Sequence, residues 1–109
     1  MKEKITSRTL RTLPREKAFY FFTSIGNYTG ESAASLREFL EKINEVNVKS
    51  LEFHLCRTDF EKWIDETLED KELAVEIRNL RILNYSGTTL KEHLHSVVAK
   101  RYGELSGDF

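Results

Sequence analysis

The sequence predicts an all-α protein, a compact bundle of five to six short amphipathic helices with an extended basic N-terminal arm. Three observations favour this fold class. Apolar residues recur at helical spacing in most segments, residues that cap helices precede several of them, and no two segments form a convincing pair of strands. Because no heptad pattern persists across the loops, we expect a compact bundle and not a coiled coil.

The composition is that of one folded domain. The chain has 109 residues, of which 39% are hydrophobic and 32% are charged, with one Pro and five Gly. This length suits one hydrophobic core and is too short for two. We predict an extended arm over residues 1–13, a single helical domain over residues 14–103 and a frayed tail over residues 104–109.

The first segment of the predicted domain has an ambiguous pattern. Pro14 suits the first turn of a helix, which would run to about residue 24. The run FYFFTSI at residues 19–25 is equally good strand material by propensity, so this segment stays open between helix and strand. The all-α prediction takes it as helix, because a lone strand cannot form a sheet. Gly26 and Gly30 then predict a loop.

The most clearly marked helix follows this loop. Ser35 and Glu38 form a capping box, in which each side chain satisfies a backbone N–H at the start of a helix. The apolar residues after it recur at helical spacing and predict one buried stripe, formed by Leu36, Phe39, Leu40, Ile43 and Val46.

The remaining helices are predicted from capping residues that precede apolar residues at helical spacing. The predicted N-terminal caps are Ser50, Thr58, Asp70 and Thr89, and the last helix is expected to end at Gly103.

The net charge of −1 hides an uneven distribution. Residues 1–17 contain six basic and two acidic side chains (+4), residues 18–76 six and thirteen (−7), and residues 77–109 five and three (+2). The basic arm could contact phosphate or an acidic partner, but we favour a solvated segment lying against the acidic body of its own chain.

Cysteine use and hydropathy indicate a cytoplasmic protein. Cys56 is the single cysteine, so an intrachain disulfide and a cysteine-rich zinc site are excluded, and we expect it to be a small core residue. The longest uncharged run is too short for a membrane span, and the N-terminus lacks the apolar core of a signal peptide. We therefore expect no membrane partner. The absence of Gln beside abundant Glu, Lys and Arg resembles the composition of hyperthermophile proteins.

The densest group of chemically active side chains lies in the segment SLEFHLCRTDFEKWI, residues 50–64. His54, Arg57 and Asp59 fall near a predicted helix corner, with Trp63 beside them. Such a group could provide a general base oriented by a carboxylate, or hold an anion at Arg57. The favoured alternative is a structural pin of the corner. A catalytic or ligand site requires these side chains to line a concave, partly exposed pocket.

This segment also carries a resemblance to a known family. The blocks FYFF, SIGNYTGESAASLREF, SLEFHLCRTDFEKWI and LEDKELA resemble an uncharacterised, largely archaeal prokaryotic domain of unknown function, over about residues 18–77. The resemblance implies that these residues form one structural unit and that His54, Arg57, Asp59 and Trp63 are the positions to test. It implies no activity, and the family pattern has Gly where this chain has Thr58.

A nucleic-acid site is the alternative that the charge pattern suggests. The two helices predicted between residues 58 and 83 could form a helix-turn-helix. The basic residues available to it are Arg8, Arg11, Arg15, Arg78 and Arg81. The first of these helices is strongly acidic and works against the approach of phosphate, so we favour ordinary bundle packing.

No complete catalytic or metal-binding motif occurs in the sequence. His93 and His95 are two residues apart on a predicted helix and point to different faces, so they cannot chelate one metal as an i,i+4 pair could. We therefore expect no metal or other cofactor and no enzymatic activity. The leading hypothesis is a non-catalytic protein-interaction or adaptor module, with nucleic-acid binding second and a site at His54, Arg57 and Asp59 third. The sequence leaves the oligomeric state open.

Overall fold

The computed structural model describes residues 8–107 and shows an α+β fold, which corrects the all-α prediction. After a 3-10 turn at Arg15–Lys17, two antiparallel strands, β1 (Phe19–Ser24) and β2 (Asn27–Ala33), form a hairpin. The helices that follow are α1 (Leu36–Glu45), α2 (Val48–Cys56), α3 (Asp59–Lys62), α4 (Lys71–Ile82) and α5 (Gly87–Ser106), with a π-helical turn (Trp63–Thr67) continuing α3.

The hairpin forms because its two strands satisfy each other. In β1, Phe19 and Phe21 are buried while Tyr20 between them is exposed, which is the alternation of a half-buried strand. The turn has only two residues, and its Gly26 has a φ of +83°, a conformation that L side chains rarely adopt. The second strand, NYTGESA, has little strand propensity of its own. The predicted loop is therefore wrong, since pairing with β1 makes this segment a strand.

Helix α1 confirms the prediction made from its capping box. The Ser35 hydroxyl accepts a hydrogen bond from the Glu38 N–H at 3.2 Å. The Glu38 carboxylate accepts one at 2.8 Å from the N–H of Ala34, one residue before the cap. Leu36, Phe39 and Ile43 of the predicted stripe are fully buried. Local hydrogen bonding and apolar spacing suffice to define this helix.

Helices α2 and α3 meet at Arg57 and Thr58, which we call the corner. The side chain of Asn47 caps α2, which therefore begins before the predicted cap Ser50. Helix α3 begins directly after Thr58, as predicted, but the Thr58 side chain makes no capping bond and its φ is +66°. That left-handed conformation costs an L-residue about 1–2 kcal/mol. It explains physically why a glycine would suit this position.

The two ends of the described chain differ from their predictions. Residues 8–10 are helical, and the Leu13 N–H donates to the Ala34 carbonyl at 2.6 Å, so this part of the arm is packed and not extended. Residues 1–7 lie outside the described part of the chain. At the other end, α5 passes through Gly103 to Ser106, so the predicted end at Gly103 is wrong. The first residues of the predicted tail are thus helical.

The last two helices are joined through Asp70. Its side chain caps α4 by accepting a hydrogen bond from the Leu73 N–H at 3.1 Å, as predicted. The same carboxylate accepts bonds from Nε and Nη2 of Arg101, on α5, at 2.8 and 3.1 Å. Burial lowers the pKa of Arg101, but the hydrogen bond and charge of Asp70, with Glu72 and Glu104, outweigh this and raise it overall.

Candidate functional site

A cleft of about 450 Å³ lies between β1 and the corner. Strand β1 and the hairpin turn form one wall, and the end of α2 with the start of α3 forms the other. Most of the side chains that line it are apolar. The lining includes Phe19, Tyr20, Phe22 and Ile25 on the strand side. On the helix side it includes the apolar residues Phe53 and Trp63 and the polar residues His54, Arg57 and Asp59.

The structure therefore brings the four predicted site residues, His54, Arg57, Asp59 and Trp63, to one cleft. Of these, His54 is buried and hydrogen-bonded at both ring nitrogens. Its Nε2 lies 2.8 Å from the backbone nitrogen of Phe22 in β1, and its Nδ1 lies 2.8 Å from Oδ2 of Asp59. Because a backbone N–H can only donate, Nε2 must accept, and the proton of neutral His54 sits on Nδ1 and is donated to Asp59.

This arrangement leaves His54 neutral and without a free lone pair. Burial lowers the pKa of His54 below its ordinary value of 6.5, although the hydrogen bond and charge of Asp59 oppose the shift. The imidazole makes edge-to-face contacts with two aromatic rings, those of Phe19 and Phe53, whose centres lie 4.8 and 5.0 Å away. His54 thus connects the hairpin to the corner through both of its ring nitrogens.

Asp59 holds both His54 and Arg57 through one oxygen atom. Oδ2 of Asp59 accepts from Nδ1 of His54 and, at 3.1 Å, from Nε of Arg57. The guanidinium carbon of Arg57 lies 5.1 Å from the centre of the Phe53 ring, within the range of a cation–π contact. The Arg57 side chain is 50% exposed and that of Asp59 is 27% exposed. The charged pair therefore stands at the rim of the cleft while His54 lies beneath it.

Trp63 has a structural contact on its polar edge. Its indole N–H donates to the Lys17 carbonyl at 2.8 Å, which ties the segment before β1 to the π-helical turn. Its ring is buried against Phe19 and Phe39, at centroid distances of 5.5 and 5.4 Å. Trp63 therefore supports the floor of the cleft and offers its apolar surface there.

Exposed apolar side chains continue the cleft along the hairpin. Ile25 belongs to the lining and is 82% exposed, and Tyr20 and Tyr28 on the two strands are also exposed. Sequence reasoning missed Ile25 and the Phe22 N–H because it placed no hairpin here. The alternation in FYFF together with Gly26 was the available signal.

The arginines predicted for nucleic-acid binding do not form one free basic surface. Nη1 of Arg8 bonds to Glu69 at 3.1 Å, and Nη2 of Arg11 bonds to the Thr67 carbonyl at 2.8 Å. Arg81 forms a two-point contact with Glu61 at 2.7 and 3.3 Å. Arg15 and Arg78 are exposed. The acidic body of the chain reduces the positive charge that Arg8, Arg11 and Arg81 can offer to phosphate.

Three further observations concern the described residues. Cys56 is exposed, so the expectation of a core cysteine is wrong. In residues 8–107, no group of three or more His, Cys, Asp or Glu side chains is placed to hold a metal ion. Over the same residues, no helix has both the length and the apolar character needed to cross a bilayer.

A family model described as a family of unknown function (DUF5752) matches residues 1–99. Neither the curated proteins nor the solved structures contain a significant match to the chain. The family match covers the hairpin, the corner and the whole cleft.

Proposed function

The chain belongs to this family of unknown function, DUF5752, and we propose that it is a cytoplasmic, non-catalytic interaction module that binds an extended segment of a partner protein in the cleft beside β1. The observation that carries the proposal is an apolar cleft that continues onto the exposed side chains of the hairpin. The single cysteine, Cys56, supports a reducing compartment.

The chemistry of the cleft supports binding over catalysis. His54 is the residue in the lining best suited to move a proton near neutral pH, but the Phe22 N–H and Asp59 occupy both of its nitrogens. Asp59 in turn holds His54 and Arg57 in place. These bonds keep the walls of the cleft at a fixed separation, which is a condition for a preformed binding site.

The shape of the cleft supports a polypeptide as the occupant. A volume of about 450 Å³ lies in the range of ordinary ligand sites, which is about 300–1,000 Å³. The cleft runs along a strand and ends at the hairpin turn, where Ile25 extends the apolar surface into solvent. A small molecule would leave Ile25 exposed, whereas an extended segment would cover it. Contiguous apolar surface of this kind is typical of protein interaction sites.

A displayed library of random peptides, selected on the purified full chain, tests the proposal. We expect selected peptides to shift the amide resonances of Phe22, Ile25 and Arg57 and the indole resonance of Trp63 in titrations followed by nuclear magnetic resonance. Shifts confined to surfaces away from the cleft, or selection of no peptide, would contradict the proposal.

Two exposed isoleucines provide a matched pair of variants. Ile25 lies at the cleft, and Ile82, 65% exposed, lies at the end of α4. We expect Ile25→Asp to weaken binding of a selected peptide by about tenfold or more, because burial of an isoleucine side chain is lost. Ile82→Asp should leave the affinity unchanged. Equal losses in the two variants would point to a general effect of the new charge.

A further inference from the structure

We infer that the cleft binds a carboxylate group of its ligand through the two terminal amino groups of Arg57, so that the preferred ligand is an apolar segment that carries a carboxylate. The inference rests on the proposed function and names the chemistry of the segment that the cleft accepts. It assigns to Arg57 the role of the residue that selects the ligand.

Arg57 is held in a position that faces a ligand. Its backbone ends α2 and donates to the Phe53 carbonyl at 3.3 Å. Its Nε donates to Asp59, and its guanidinium lies over the Phe53 ring. One edge and one face of the guanidinium are thus fixed by the protein. Because the side chain is already ordered, binding at its remaining edge costs less conformational entropy than binding to a free arginine.

The other ordered arginines use their terminal amino groups, as well as Nε, to bind carboxylates. Arg81 reaches Glu61 through Nε and Nη2, and Arg101 reaches three acidic residues through Nε and both amino groups. Among residues 8–107, neither amino group of Arg57 has a hydrogen-bond partner. A guanidinium with one anchored edge and a free pair of donors matches a planar carboxylate, which it can bind through two parallel hydrogen bonds.

The charges along the cleft favour an anion with a single charge. Arg57 and Asp59 are the charged side chains of its lining, and Arg57 is the more exposed of the two. Oδ2 of Asp59 is already occupied by His54 and Arg57. A phosphate group would bring a charge of about −1.5 to −2 next to Asp59, with one cation to balance it. A carboxylate brings one negative charge, and the apolar walls accept the hydrocarbon part of the segment.

A carboxylate can come from the C-terminus of a partner chain or from an Asp or Glu side chain within it. The experiment uses one peptide selected as above, prepared as the free acid, as the C-terminal amide, and with each acidic residue replaced by its amide. Affinities are measured by calorimetry for the wild type, Arg57→Met and, as the matched control, Arg78→Met. Arg78 is an exposed arginine on α4 outside the cleft lining.

We expect loss of one carboxylate to weaken binding to the wild type and to Arg78→Met by about tenfold or more, since hydrogen bonds to charged groups are strong. In Arg57→Met the same change should have little effect. The peptide version that loses affinity for the wild type shows whether the carboxylate comes from the C-terminus or from an acidic side chain. Equal affinity of all versions for the wild type, an equal loss in Arg57→Met, or a preference for peptides bearing an amine would overturn the inference. Those results at the cleft would leave the proposed function intact, whereas a peptide that misses the cleft would contradict that function itself.

Discussion

Two aspartate–arginine pairs in this protein show how surroundings change what the same groups do. Asp59 is the first residue of α3 and pairs with Arg57, while Asp70 caps α4 and pairs with Arg101. The side chains of Asp70 and Arg101 are only 2% and 16% exposed, whereas those at the corner are 27% and 50% exposed. Asp70 and Arg101 therefore form a buried structural junction, whereas a ligand can reach Asp59 and Arg57.

The buried pair has no capacity left for a ligand. Asp70 uses both oxygens, for the Leu73 N–H and for two nitrogens of Arg101. Arg101 also contacts Glu72 and Glu104. At the corner, by contrast, Arg57 is held at Nε, and its amino groups bond to none of residues 8–107. An aspartate beside an arginine therefore indicates a site only where part of the pair remains in contact with solvent.

The largest expected effect tests the buried pair. Arg101→Met removes the partner of a buried carboxylate, so we expect the free energy of unfolding to fall by about 3–5 kcal/mol. Urea denaturation followed by circular dichroism measures the change. Arg57→Met is the matched control and should change stability by less than about 1 kcal/mol, because an exposed ion pair contributes little. Similar losses in both variants would remove the distinction between the two pairs.

A smaller effect tests the backbone of the corner. Thr58 has a φ of +66°, and a glycine there avoids the strain of a β-branched residue in the left-handed region. The unfolded chain gains freedom from the glycine, which offsets part of the benefit. We expect Thr58→Gly to raise the free energy of unfolding by about 0.5–1 kcal/mol, measured by the same denaturation.

Asn84, with a φ of +65°, provides the control for this substitution. Asparagine tolerates the left-handed region better than threonine, so Asn84→Gly should gain less stability than Thr58→Gly. A loss of stability in Thr58→Gly would mean that the threonine side chain contributes more than its backbone strain costs.

The smallest expected effect is a pH dependence of stability that is absent at neutral pH. It comes from the hydrogen bond between His54 and the hairpin. The pKa of folded His54 lies below 6.5, so the unfolded chain takes up the proton first as the pH falls. The contribution of His54 to the free energy of unfolding is therefore fully present above about pH 6.5. It decreases below that pH until the folded histidine is also protonated. Protonation of Nε2 would set two donors, Nε2–H and the Phe22 N–H, against each other. The protection factor of the Phe22 amide, in which the slower intrinsic exchange at low pH is divided out, should fall in the same pH range.

A variant without a titrating ring isolates this effect. In His54→Gln the side-chain oxygen can still accept a hydrogen bond, but the group does not titrate in this range. Denaturation at about pH 7.5 and about pH 5.5 should show a stability difference in the wild type that is smaller in His54→Gln. If both proteins lose the same stability, other groups cause the pH dependence and His54 does not control the hairpin.

Predictions from the sequence succeeded where the determining contacts are local. The cap of α1 depends on Ser35 and Glu38, which are three residues apart, and the cap of α4 depends on Asp70 and the third residue after it. The grouping of His54, Arg57 and Asp59 was visible because these residues are close along the chain. A site requires that these residues line one cleft together with Trp63. The sequence defines this requirement, but only the structure tests it.

The predictions failed where distant residues decide the structure. The strand β2 has a polar sequence that reads as a loop, and pairing with β1 defines it. Cys56 was expected to be packed in the core, but it is exposed, since burial depends on which face of the helix meets the rest of the fold. Thr58 adopts a backbone that its own side chain disfavours, because the packing of α2 and α3 outweighs the local preference.

By itself the sequence determined the helices with strong caps and stripes, the uneven charge and the segment that carries the candidate site, because hydrogen bonds and side-chain periodicity within a few residues fix these features. The tertiary structure alone decided the cleft and the state of His54. The bond from the Phe22 N–H to His54 joins residues 32 positions apart, and it ties the candidate base to the backbone of the hairpin. Whether a polar group is free to act depends on the partners that folding brings to it, and those partners come from distant parts of the chain.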